Sequence, residues 1–208
     1  MKPVIRCLFI LLLSAIQFTA GADGMKIYTR KAKLEDFPDR TLKVVMSGNP
    51  GFDAVLKEET ASRWVLSPYE FCDAQEYDRL RTSSIHYFLT VTSEDGVVFL
   101  SVSKGGTEKN TDYLKRPFEV ISLPLAKAGK PIEPASRHIA AYLDIIQQFV
   151  EAAMESDKTA YIGPEAICIH PRKIPSDMIT TVKAGNWSAS YTEDTHRLVN
   201  FKKGRSSK

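Results

Sequence analysis

Cys72 and Cys168 are the residues with the most reactive chemistry to offer. Cys72 immediately precedes Asp73-Ala74-Gln75-Glu76, whose spacing is that of a capping box, and amides at a helix start lower a thiol's pKa. Cys168 and His170 stand two apart in what reads as a strand, and so on one face. Were the fold to bring the two regions together, thiol and imidazole would form a nucleophile–base pair, the outline of an exported thiol-dependent hydrolase. Two other readings compete: Cys72 and Cys168 as the ends of one disulfide, or as small buried apolar residues that never meet. No C-x-x-C pair or G-x-S-x-G elbow occurs, and Gly48-Asn49-Pro50-Gly51 lacks the Lys and Ser/Thr of a phosphate loop. His86, His138, His170 and His196 lack paired ligand spacing, so structural histidines are expected, with no metal and no cofactor. The acid pairs Glu58-Glu59, Glu94-Asp95 and Glu193-Asp194 read as solvated surface. Asn186-Trp187-Ser188 has the form of a glycosylation sequon, which matters only in a eukaryotic secretory route.

Binding chemistry is offered by the run Trp64-Val65-Leu66-Ser67-Pro68-Tyr69-Glu70-Phe71. Trp64, Tyr69 and Phe71 beside a proline-broken strand end could form an aromatic contact patch. The competing expectation is that Trp64 plugs the core and Pro68 merely halts the strand.

The elements that must position these groups follow from periodicity. Residues 41–46 are a short β-branched strand, and Asn49-Pro50 caps a helix carrying Phe52, Val55 and Leu56. Residues 64–67 read as a second strand, and Asp73 opens a short helix with Tyr77 and Leu80 inward. Residues 85–92 and 97–104 form a hairpin around Ser93-Glu94-Asp95-Gly96, and 118–123 a further strand before Pro124. Ile139, Tyr142, Leu143, Ile146, Phe149, Val150 and Ala153 make the apolar stripe of a long helix, with Asp144, Gln147, Glu151 and Glu155 on its polar side. Strand character is expected again at 159–161 and 166–170. The order implies an α/β fold: a mixed β-sheet with two β-α units, a β-hairpin and a long amphipathic helix packed on the sheet. After Pro171, a helical stretch at 176–184 and Trp187-Ser188-Ala189-Ser190-Tyr191 echo the first unit, so 171–208 reads as a truncated second β-α unit with a frayed basic tail.

Ahead of this α/β domain, residues 41–170, lie two further segments. Lys2 and Arg6, an apolar run from Cys7 to Ile16 and the small-residue exit Ala20-Gly21-Ala22 compose a signal peptide, residues 1–22, with cleavage before Asp23. An uncleaved anchor is the alternative, disfavoured because the run is short for a ~30 Å hydrocarbon core. Residues 23–40 are polar and charged and read as an N-terminal arm. The chain of 208 residues is 43% apolar, with 28 Lys+Arg against 25 Asp+Glu. Loss of residues 1–22, which hold two bases and no acid, takes the net charge from +3 to about +1. A near-neutral product gives no electrostatic case for nucleic acid or an anionic membrane, and no stable membrane span is expected after cleavage.

The leader, the strand–helix unit, the run from Trp64 to Phe71 and the later Tyr87-Phe88-Leu89 resemble secreted α/β proteins of unassigned role from Gram-negative anaerobes. In element order, residues 41–123 are also similar to the N-terminal domain of the TolB family and to CsgG-type envelope proteins. The resemblance carries over no catalytic residue. It implies a periplasmic or secreted, non-enzymatic module acting through contacts with an envelope protein or a peptidoglycan-associated partner. A small-ligand-binding periplasmic protein, with its pocket at strand ends, is the further alternative.

Overall fold

The computed structural model describes residues 31–106 and 118–203. The expected signal peptide and its cleavage site, the first part of the arm and the end of the basic tail lie outside them.

The fold is α/β, with one mixed sheet and a second, smaller sheet. Strand β1 (Leu42–Val45) is central among the parallel strands, flanked by β2 (Tyr69–Cys72) and β3 (Tyr87–Glu94). β3 continues antiparallel into β4 (Val97–Lys104) and β5 (Phe118–Lys127), giving the order β2-β1-β3-β4-β5. Helix α1 (Lys31–Leu34) precedes the sheet; α2 (Pro50–Arg63) joins β1 to β2, and α3 (Ala74–Leu80) joins β2 to β3. The two β-α units are therefore present. α4 (Ile139–Glu155) and α5 (Asp157–Ile162) follow, then the antiparallel meander β6 (Ile179–Ala184), β7 (Trp187–Thr192) and β8 (Leu198–Lys203).

Local chemistry explains most of these elements. The Asn49 side chain accepts from the Phe52 amide at 3.0 Å, and Pro50 sits in the first turn where no amide is needed. The β3–β4 turn is Asp95-Gly96, both at positive φ, which matches the twist of the strands it joins. Gly105 is required by close approach: a Cβ there would lie 2.1 Å from the Ser83 carbonyl oxygen. The whole stripe of α4 is buried, with the Tyr142 hydroxyl donating to the Pro124 carbonyl at 2.6 Å.

Alternation divides the large sheet into two faces. Leu42, Val44, Tyr87, Leu89, Leu100 and Val102 join α2 and α4 in the main core. Val45, Cys72 and Phe88 lie on the opposite face under Tyr77 and Leu80 of α3. Val182, Ala189, Tyr191, Leu198 and Phe201 of the second sheet belong to the same main core, so residues 171–203 are continuous with the α/β body.

Several expectations need correction. The second strand lies at Tyr69–Cys72, not at 64–67, because α2 runs on to Arg63 and Trp64 is its C-cap. Pro68 begins the ladder instead of halting it, its carbonyl accepting from the Leu42 amide at 2.8 Å. β5 continues through Pro124 to Lys127, since an edge strand with bulges tolerates the missing amide. The segments 159–161 and 166–170 are not strands: Ser156 caps α5 and Gly163 at φ +83° breaks to a 3-10 turn at Pro164–Ile167. Residues 179–184, expected within a helix, are β6, as the β-branched Ile179, Thr180, Thr181 and Val182 favour. The echo of the first unit therefore fails, since Trp64 caps a helix and Trp187 opens a strand. The arm is partly structural, with Leu34 and Phe37 fully buried, and the basic tail is ordered at Lys202 and Lys203 in β8.

Candidate functional site

The residues of the expected aromatic patch separate. Trp64 is only 5% exposed, 6.3 Å from Phe37 between ring centroids, with its indole donating to Ser67 Oγ at 3.2 Å. It plugs the core, so the contact patch is corrected to exclude it. Tyr69 and Phe71 do meet, as an edge-on pair with centroids 5.6 Å apart. Phe71 is 39% exposed, and the Lys57 ammonium of α2 lies 5.9 Å from its ring centre. Val65, on the loop before them, is 85% exposed.

These residues flank the outer edge of β2. The carbonyls of Pro68 and Cys72 both receive hydrogen bonds on the β1 side, from Leu42 and Met46. In a parallel ladder the amide and carbonyl of alternate residues face the same neighbour. Glu70 and Cys72 therefore face β1 with their backbone, and Tyr69 and Phe71 turn theirs outward. Among the described residues no strand pairs with that side of β2.

Loop and edge are held in place from the core. Gln147 of α4, expected on the polar side of its helix, is buried. Its Oε1 accepts from the Val65 and Leu66 amides at 2.8 and 3.2 Å, and its Nε2 donates to the Arg63 carbonyl at 3.1 Å. One side chain thereby satisfies the end of α2 and the chain entering β2.

On the other face of the edge lies a charged cluster. Lys43, 8% exposed within β1, donates to Glu70 Oε2 at 2.5 Å and Glu76 Oε1 at 2.8 Å. These bonds hold the ammonium above its ordinary pKa and Glu70 below its own. Asp73 caps α3 as expected, but Glu76 reaches to Lys43 and does not close the capping box. Cys72 lies beneath this cluster. Burial and the neighbouring Glu76 push its thiol up to about 11, the opposite of activation. His86 lies just outside β3, its pKa lowered by burial, and among the described residues its Nδ1 has no hydrogen-bond partner.

Of the two structural readings left open for Cys72 and Cys168, the structure shows the unpaired one. Both thiols are free, Cys72 on the α3 face and Cys168 against the main core. Nor do Cys168 and His170 share a strand face: they follow a 3-10 turn, and His170 accepts from the Arg172 amide. Cys168 lines a wide groove of about 680 Å³ with Glu151, Glu155, Gln148 and Arg197, and burial raises its pKa too. Among the described residues no three His, Cys, Asp or Glu side chains are grouped to hold a metal ion.

Two histidine contacts escaped sequence reasoning. His138 Nδ1 lies 2.8 Å from the Tyr191 hydroxyl, and Arg137 Nε donates to its Nε2 at 3.2 Å. Since arginine only donates, the neutral ring carries its proton on Nδ1 and gives it to Tyr191. Burial lowers His138 to about 4. His196, at φ +48° in the β7–β8 turn, meets Asp144 Oδ2 at 2.7 Å, and Arg63 reaches the same carboxylate. The first ties the second sheet to the N-cap of α4 and the second ties the β7–β8 turn to α4 itself. Spacings of 52 and 53 residues left no local signal of them.

No protein-family model, no curated protein and no solved structure matches the chain.

Proposed function

We propose that this protein is an exported α/β module that acts in the cell envelope through protein contact, with the β2 edge as its contact surface. The observation carrying this reading is the outward backbone of Tyr69 and Phe71, unpaired among the described residues and flanked by exposed Phe71 and Val65. An edge strand presents a row of hydrogen-bonding groups on which another chain can pair. The basic, apolar and small-residue order of residues 1–22 supports export, and an envelope protein or a peptidoglycan-associated protein supplies the partner. Among the described residues no helix is long and apolar enough to cross a membrane. Against the thiol-hydrolase alternative stand the raised pKa values of both cysteines and their separation.

The test places the photocrosslinker benzoylphenylalanine at position 71 or 95 of the full chain, expressed in a Gram-negative host. The expected result is an envelope-located product beginning at Asp23, with a discrete protein crosslinked from position 71 and none from 95. A cytosolic product retaining Met1, or equal capture from both positions, overturns the proposal.

A further inference from the structure

The two sides of the β2 edge differ in chemistry. On the α2 side, Tyr69 and Phe71 present aromatic surface. On the α3 side, Glu70 projects with its side chain 62% exposed. Among the described residues its ion-pair partner is Lys43, which it shares with Glu76, so two carboxylates divide a single buried ammonium; burial holds the neighbouring His86 below its ordinary value, and the cluster carries a residual negative charge. A strand added alongside β2 would alternate its side chains between these two surfaces. Residues on one side would meet Phe71 and Tyr69; those on the other would meet Glu70. Cross-strand neighbours of opposite charge attract and like charges repel, so Glu70 selects for a base. The same repulsion opposes a second copy, whose antiparallel β2 centred on Glu70 would set the two Glu70 carboxylates against each other.

We propose that the occupant of this edge is an extended peptide segment of a partner protein in which apolar residues alternate with Lys or Arg. This rests on the preceding reading of β2 as the contact surface and specifies what that surface takes. The segment hydrogen-bonds to the Tyr69 and Phe71 backbone, lays its apolar residues beside the two rings and sets a cation by Glu70.

Amide NMR of the full chain tests this with three synthetic probes: acetyl-Val-Lys-Val-Lys-Val-Lys-Val-amide, its Glu-for-Lys counterpart, and the basic peptide N-methylated at alternate residues on the pairing edge. The expected result is a saturable shift of the Tyr69 and Phe71 amides by the basic peptide. Binding of the acidic peptide should be about tenfold weaker and that of the methylated one lost. Glu70→Gln should narrow the difference between basic and acidic peptides by about threefold. Equal binding of basic and acidic peptides, or undiminished binding of the methylated one, overturns the inference. So does a shift of these amides with protein concentration alone, which makes a second copy the occupant. Failure of all peptides while crosslinking from position 71 persists removes this inference only; loss of that crosslinking removes the reading beneath it.

Discussion

The five-stranded sheet has two edges, and they are treated differently. β5 is long, bulged at two places against β4, interrupted by Pro124, and has β6 of the second sheet lying along it. Bulges, proline and a covering element are devices that stop foreign strands from pairing. β2 has no bulge and, among the described residues, no strand beside its outer edge: four residues follow Pro68 in unbroken register with β1, and its shortness and the charge of Glu70 are all that guard it. One edge is bulged, carries a proline and has the C-terminal meander packed near it, and the other is unbroken and, among the described residues, unpaired. Such a contrast within a single sheet makes the open edge informative, because the means of closing an edge are plainly present in the same chain.

The largest expected effect separates the two aromatic residues that adjacent sequence would have grouped. Trp64→Ala empties a buried site beside Phe37 and should cost about 3–5 kcal/mol in denaturant unfolding. Phe71→Ala removes a partly exposed ring and should cost below about 1 kcal/mol. Comparable losses from both would mean that Phe71 is structural and the edge is not available for a partner.

Acid should loosen the closed side through His138. Its ordinary value is 6.5 and burial lowers it to about 4 in the folded chain, so on acidification the unfolded chain takes the proton first. Stability is then level above about pH 6.5, falls progressively toward pH 4 and levels off below, a loss of roughly 3 kcal/mol at most. Asp36 adds to the loss at lower pH: its burial is outweighed by hydrogen bonds from Lys104 and Tyr87, which hold the carboxyl below its ordinary value. Urea unfolding at pH 7 and pH 4.5 measures the slope. His138→Gln, which keeps a donor toward Tyr191 but does not titrate, should flatten it; an unchanged slope would assign the acid loss to other groups.

Gln147 sharpens the comparison from the open side, since it fixes the loop that leads into β2. Gln147→Ala strands the Val65 and Leu66 amides and the Arg63 carbonyl, at a cost of about 1–3 kcal/mol. Hydrogen exchange should quicken at Val65 and Leu66, with β4 and β5 unaffected at matched stability. Faster exchange spread over the whole sheet would show that Gln147 supports the core at large, not the edge.

The sequence made legible what neighbouring residues decide. The Asn49 cap, the Asp95-Gly96 turn and the stripe of α4 depend on partners within a few positions, and each stands where periodicity and turn chemistry put it. The class of fold followed from their order. The second strand was misplaced by five residues because two apolar windows adjoin, 64–67 and 69–72, and the choice between them lies with Gln147 and β1, both distant in sequence. Polarity alone put Gln147 on the solvent side of its helix, and tertiary pairing buries both it and Lys43. Within the candidate site, Tyr69 and Phe71 were legible as a pair of aromatic residues, but the outward turn of their backbone was not, since it depends on which neighbour β1 takes.

The smallest effect concerns the thiols. A disulfide between Cys72 and Cys168 would have joined the open edge to the closed side and made the two halves one covalent unit. Both thiols are free, on opposite faces of the large sheet. Reductant should therefore leave the melting temperature unchanged, where loss of a long-loop disulfide would lower stability by about 2–5 kcal/mol. Because burial and Glu76 push Cys72 up to about 11, iodoacetamide at pH 8 should modify it far more slowly than a free cysteine peptide. Lys43→Met removes the cation beside it, which lowers its pKa, and so should slow the reaction further. Faster labelling in that variant would mean that opening of α3, not thiolate population, limits access to the thiol, and the edge would then be a hinged surface and not a fixed one.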